Sequence, residues 1–210
     1  MKTLLHPTYF PDIVAFSVLA QNEIMWERHD NYQKQTYRNR CYVCTDQGRH
    51  MLNIPIKHVG GEQGRQKYNE VKIDNSYPWQ VQHLKTLQTA YRSSPFFEFY
   101  EDDIMPLFKK KFDFLLDANL EITKVLCELL GVDFPKEKTD HYSKEHPDLV
   151  DARFLVNAKK DIYFDQQSYT QVFQDRHGFL KNVSVLDLLF NEGTNALSYL
   201  KNQSLTFLNA

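Results

Sequence analysis

The sequence predicts an α/β fold, with α+β as the alternative arrangement of the same elements. Three observations point there. An apolar run, Thr3-Leu4-Leu5, is followed by a turn with two prolines, a helical stretch from Ile13 and a second apolar run, Ile24-Met25-Trp26. Strand, helix, strand in that order is a βαβ unit. Two strand-like segments then flank Asp46-Gln47-Gly48, and from Pro78 onward apolar residues recur at helical spacing. The expectation is one domain over 1–210. Residues 1–75 would form a mixed sheet and 76–210 a mainly helical cover.

With 210 residues the chain can bury a full core without disulfides or metal. It carries 25 Lys and Arg against 27 Asp and Glu, a net charge of -2. That balance argues against nucleic acid as a partner, which requires a basic surplus. Cys41 and Cys44 form a lone C-x-x-C with no second pair to complete a zinc site, and Cys127 leaves the count odd. On a strand the first two would face opposite sides, as small buried apolar groups. Unpaired thiols fit a reducing cytoplasm. The N-terminal apolar patch ends at His6-Pro7, too short for a signal peptide, and no run reaches the ~20 apolar residues of a membrane span.

In chain order, residues 3–5 read as a buried strand. Pro7 and Pro11 forbid regular structure through the next turn. Asp12 can cap the helix carried by Ile13, Phe16, Val18, Leu19 and Ala20. Residues 23–28 give the second strand, parallel to the first through a right-handed crossover. Residues 38–45 and 50–57 pair as a hairpin. Gly60, Gly61 and Gly64 mark a polar loop without the phosphate-loop pattern, and 71–73 is a brief strand. Trp79, His83, Leu87 and Tyr91 share one helix face, and Ser93-Ser94-Pro95 stops that helix. Residues 96–108 suggest a short aromatic and acidic helix. Phe112, Leu115, Leu116, Ile122, Leu126, Leu129 and Leu130 mark a long amphipathic helix closed by Gly131. Asn119 sits on its apolar stripe and requires a partner if buried. Residues 136–151 read as a polar loop or lid, 153–164 as irregular with some strand character, and 169–173 as a helical turn. Ser184-Val185-Leu186-Asp187 has the form of a capping box opening a helix that ends at Gly193, and the last helix starts near Ala196.

The segment 29–40 is dense in proton-transfer and anion-binding groups. Ligands of βαβ units sit outside the carboxyl ends of the strands, where His6, Tyr9, Glu27, His29 and Asp30 would gather. His6 and His29, with Asp30, are the catalytic candidates, because a neutral histidine beside a carboxylate can act as a general base near pH 7. The bland alternative for His6 is a structural histidine. Arg38 and Arg40 lie two apart, so on a strand they share a face and can grip phosphate or carboxylate; the alternative is a pair of surface ion pairs. Lys34 and Tyr37 add donors to that binding segment. Asn39 belongs to it too, although strand alternation points it the other way. Tyr9 and His83 complete the substrate-binding candidates, with His83 either lining the cleft or paired in the core beside Trp79. His141 and His146 lack cysteine partners, and no H-E-x-x-H, G-x-S-x-G or G-x-G-x-x-G is present, so neither a metal nor a cofactor is expected.

Several motifs resemble the WbqC-like family: His6-Pro7-x-Tyr9-Phe10-Pro11, Asn31-Tyr32-x-Lys34, Tyr37-Arg38-Asn39-Arg40, Leu52-x-Ile54-Pro55-Ile56-Lys57, Trp79-x-x-x-His83, Tyr91-x-x-x-Pro95 and Leu186-Asp187-Leu188-Leu189-Phe190-Asn191-x-Gly193. The likeness spans almost the whole chain. His6 is a departure, since the family's opening usually carries Gln there. The resemblance implies a bacterial, cytoplasmic role in surface-polysaccharide (O-antigen-type) biosynthesis. Together with the cations it suggests a transferase-like protein acting on an anionic small molecule, a nucleotide-activated sugar or an acyl or phosphorylated donor. The alternative is a non-catalytic ligand-binding or scaffold protein of the same pathway. The sequence leaves the oligomeric state open.

Overall fold

A computed structural model of the chain describes residues 2–57, 66–159, 162 and 164–209. Strand β1 (Lys2–Leu5) leads through the Pro7–Pro11 turn into helix α1 (Ile13–Gln21) and strand β2 (Ile24–Trp26). Asp12 caps α1, its side chain accepting from the Ala15 amide at 2.8 Å. Seven consecutive residues of α1, Ile13 to Leu19, are buried. The helix is thus enclosed on all sides, which explains a stretch more uniformly apolar than an amphipathic surface helix.

β1 and β2 are parallel, Thr3 opposite Ile24 and Leu5 opposite Trp26. On the other edge of β1 lies β5 (Leu149–Asp151), also parallel. This corrects the reading of 136–151 as loop throughout: its last residues complete the sheet, in the order β2-β1-β5. The second sheet is the hairpin of β3 (Arg40–Thr45) and β4 (Gly48–Asn53), in register from Arg40–Asn53 to Thr45–Gly48. The α/β class therefore holds, with the parallel and antiparallel strands distributed over two sheets. Both hairpin strands differ in extent from the sequence reading. β3 begins at Arg40, so Arg38 and Asn39 precede it, and β4 ends at Asn53, before Pro55 removes a donor. Residues 71–73 make isolated bridges, Ile73 with Ile56 and Lys72 with Phe114, rather than a strand. The Gly60–Gly64 loop lies outside the described residues.

The helical cover consists of α2 (Trp79–Tyr91), α3 (Phe97–Lys109), α4 (Leu115–Leu130), the one-turn α5 (Gln174–His177), α6 (Val185–Glu192) and α7 (Ala196–Lys201). Trp79, His83, Leu87 and Tyr91 all face inward from α2. α4 buries Leu115, Leu116, Ile122, Leu126 and Leu130, each worth about 1.5–3 kcal/mol of apolar transfer. It closes at Gly131, whose φ of 69° is the left-handed cap. The helical turn expected at 169–173 forms later, at α5.

Asp187 corrects another expectation. Ser184 does cap α6, accepting from the Leu186 amide at 3.3 Å. Asp187, however, does not complete a capping box. Its fully buried carboxylate accepts from Tyr91 (2.8 Å), Tyr169 (2.6 Å) and Gln171 (2.9 Å). Tyr91 in turn accepts from the Cys44 amide at 3.0 Å. One carboxylate thus joins α6, α2, the hairpin and the segment before α5. Cys41, Cys44 and Cys127 are buried free thiols. Among the described residues no helix is long and apolar enough to cross a membrane.

Candidate functional site

The chain after β1 and the chain after β2 run side by side, the Glu27 amide donating to the Leu5 carbonyl at 2.9 Å. That puts His6 at the carboxyl edge of the sheet, 2% exposed. The segment preceding β3 delivers Arg38 to the same edge. Arg38 Nη2 lies 2.8 Å from His6 Nε2 and 2.9 Å from Asp30 Oδ2. His6 Nδ1 is 3.3 Å from the Glu27 carbonyl.

These contacts fix the protonation of His6. A guanidinium only donates, so Nε2 accepts and Nδ1 carries the hydrogen given to Glu27. The two Nη2 hydrogens of Arg38 serve His6 and Asp30. The 3.2 Å approach of His6 Nε2 to Asp30 Oδ2 is then two acceptors sharing one donor nitrogen. Burial, followed by the Arg38 charge, pushes the imidazole down to about 4, in agreement with a neutral ring. Partial burial opposes ionisation of Asp30, yet the Arg38 charge beside it holds the carboxyl below the ordinary range.

Arg38 is completely buried. Its guanidinium carbon sits 5.1 Å from the Tyr68 ring centroid. Asn119 of α4 donates at 2.6 Å to both the Arg38 carbonyl and the Tyr68 hydroxyl, and Tyr68 donates to the Pro7 carbonyl at 2.7 Å. These bonds satisfy the Asn119 amide nitrogen on its apolar stripe, while its Oδ1 finds no donor among the described residues. Arg38 Nε and Nη1 are buried and find no acceptor among the described residues. A buried cation with unused donors is costly unless something else engages them.

Glu27, at the end of β2, is also fully buried. Its Oε1 accepts from the His29 amide at 2.7 Å and the Thr139 hydroxyl at 3.1 Å, and Arg153 stands 3.6 Å from Oε2. His29 is half-buried and anchored through its backbone. β2 has ended by this point, so strand alternation does not govern His29 and Asp30.

Arg40 occupies different surroundings from Arg38. It lines an open cleft of about 500 Å³ together with Lys34, Asn39, Tyr32, Asn53, Asp74 and Tyr77. Tyr32 connects the two arginines: burial pushes its hydroxyl up to about 12, while the charges of Arg38 and Arg40 both pull it down. Asn39 is held by its amide nitrogen, which donates to Asn53 Oδ1 and the Ile54 carbonyl, each at 3.0 Å.

The structure thus gathers His6, Asp30 and Arg38 in one buried cluster, and Lys34, Asn39 and Arg40 around one cleft. Tyr9 and His83 meet inside the core, Tyr9 Oη 2.7 Å from His83 Nδ1, with the Trp79 ring edge-on to His83. Tyr37 is buried, its backbone bonded to Tyr9 and Val156. Asn53, Asp74 and Tyr77 were not singled out from the sequence. They are solitary polar or aromatic residues at the hairpin end and the following loop, brought together by the Ile56–Ile73 bridge. Only that long-range pairing marks them.

The chain is 26% identical over 219 aligned residues to "Uncharacterized protein Rv1507c" of Mycobacterium tuberculosis, an alignment covering 92% of this chain and 91% of that one. No solved structure matches it. The pattern of the WbqC-like protein family matches residues 6–164, which hold both the buried cluster and the cleft. The chain belongs to the WbqC-like protein family.

Proposed function

We propose that the cleft beside the hairpin binds an anionic small molecule, and that the protein is a transferase using a nucleotide-activated sugar or another phosphorylated or acyl donor in surface-polysaccharide assembly. The observation that carries the anion is the placement of Lys34 and Arg40 on one cleft, with the incompletely paired Arg38 behind Tyr32. Two cations at an open cleft stabilise negative charge on a bound phosphate or on a departing one. The polysaccharide assignment rests on the family alone. A thermal-shift panel of nucleotide sugars, coenzyme A esters and inorganic phosphate tests the reading. A rise in melting temperature with at least one class is expected, and no shift with any of them refutes it.

A non-catalytic binding role is the second reading, and the state of His6 favours it. The His6 Nε2 lone pair is occupied by Arg38, so His6 is not free to take a substrate proton in this conformation. Single-turnover assays with a bound donor and a carbohydrate acceptor separate the two readings. Tight binding without turnover supports the binding role.

A further inference from the structure

The donor and acceptor inventory of the cleft is not that of a plain phosphate site. The Ile54 carbonyl can only accept, which fixes the Asn39 amide with Nδ2 toward it. Asn39 Oδ1 is left buried and without a donor among the described residues, on a side chain 6% exposed. Asp74 adds an acceptor that faces solvent. Its Oδ1 accepts from the Ser76 hydroxyl at 2.7 Å and the Ser76 amide at 3.1 Å. Hydrogen bonds from Ser76 hold that carboxyl below its ordinary range, so it is ionised. No described residue donates to Oδ2. The cleft therefore sets the open Asp74 carboxylate beside the donors Arg40 and Lys34, with Asn39 in its wall. Inorganic phosphate satisfies the donors and meets only repulsion from Asp74. A ligand that fits must bring hydroxyl or amide hydrogens next to its anionic group. Tyr32 and Tyr77 add aromatic surface of the kind that packs on a pyranose ring.

We infer that the cleft selects a glycosyl phosphate, with Asp74 accepting from sugar hydroxyl or amide groups while Lys34 and Arg40 hold the phosphate. The inference rests on the reading that this cleft takes an anionic donor. It names the sugar end as the part that is recognised, and Asp74 as a residue that sets specificity. A carboxylate that exchanges water for a ligand hydroxyl favours ligands that carry that hydrogen.

The test is calorimetric titration of wild-type protein and Asp74→Asn with hexose 1-phosphates, N-acetylhexosamine 1-phosphates and ethyl phosphate. Ethyl phosphate carries the same monoester without hydroxyl groups. Asparagine keeps an oxygen for Ser76 and replaces the free carboxylate oxygen by a donor, so the change is isosteric; an unchanged melting temperature checks the fold. At least one sugar phosphate is expected to bind wild type about tenfold or more tighter than ethyl phosphate. Asp74→Asn should remove most of that preference while ethyl phosphate binds as well as before or better. Equal wild-type affinity for all the phosphates, or equal weakening of all of them in the variant, overturns the inference and leaves the anion site standing. Failure of every phosphate to bind removes both.

Discussion

Replacing Asn119 by alanine tests how the helical cover supports the buried cluster. Asn119 is fully buried in the middle of α4 and gives two hydrogen bonds of 2.6 Å, to the Arg38 carbonyl and to the Tyr68 hydroxyl. Tyr68 keeps its bond to Pro7 in the variant. The Arg38 carbonyl has no other donor among the described residues and is left stranded. Two lost bonds at about 1 kcal/mol each and about 1–3 kcal/mol for the unsatisfied carbonyl, offset in part by removal of the unpartnered Asn119 Oδ1, leave a loss of about 2 kcal/mol. Urea unfolding followed by tryptophan fluorescence reads this as a lower midpoint at unchanged slope. Asn119→Leu separates the contributions, because it refills the space without restoring the donor. It should recover less than half of the loss. A change below about 0.5 kcal/mol in Asn119→Ala would falsify the assignment of Asn119 as the tie between α4 and the Arg38 backbone.

The two arginines should now behave differently. Arg38→Lys shortens a fully buried side chain and removes the guanidinium plane from the Tyr68 ring, so its melting temperature should fall. Arg40→Lys should melt like wild type and bind phosphate ligands more weakly by about 1–3 kcal/mol; the reverse pattern refutes the division into buried cluster and cleft. His6 is neutral when folded, at about 4, and takes a proton near 6.5 when unfolded. The unfolded chain therefore binds more protons across that window, so the His6 contribution is fully present above about 6.5 and is lost as pH falls toward 4. His6→Gln, measured against wild type by urea unfolding, should narrow the stability gap by about 2 kcal/mol between pH 7.5 and pH 5, and a constant gap contradicts a neutral His6. Leu116→Ala on the buried stripe of α4 should cost about 2–5 kcal/mol, and a negligible change in thermal unfolding puts that residue outside the core. Gly193→Ala should cost about 1–3 kcal/mol in the same assay, since a Cβ there meets the Phe96 ring at 2.7 Å and φ is +54°; wild-type melting refutes the close approach.

The sequence carries those parts of the fold in which local pattern and tertiary demand agree. Trp79, His83, Leu87 and Tyr91 repeat at one helical interval and all turn inward. Gly131 ends α4 where the apolar stripe ends. β5 is hidden because three residues in a polar stretch become a strand only through pairing with β1. Asp187 has the spacing of a capping acid, and only the folded chain shows Tyr91, Tyr169 and Gln171 converging on it. The same holds for the cations. Alternation gives Arg38 and Arg40 a common face, but β3 starts at Arg40, and the free residues before it turn Arg38 toward His6 and Asp30. Asp74 was invisible because nothing local distinguishes an acidic loop residue that lines a cleft from one that faces water.

The middle strand of the parallel sheet sets a schedule for synthesis. β1 and one of its two neighbours, Leu149–Asp151, lie far apart in the sequence, so that neighbour is synthesised long after β1. At about 5–20 residues per second, that edge of β1 waits roughly 7–30 s for its partner. During this interval Thr3, Leu4 and Leu5 present a row of unpaired amides and carbonyls on an apolar strand, the form of edge that pairs with other nascent chains. Aggregation on the ribosome should therefore depend on how fast the segment between β2 and β5 is translated. Slow codons placed there would lower soluble yield without altering a single contact in the finished protein.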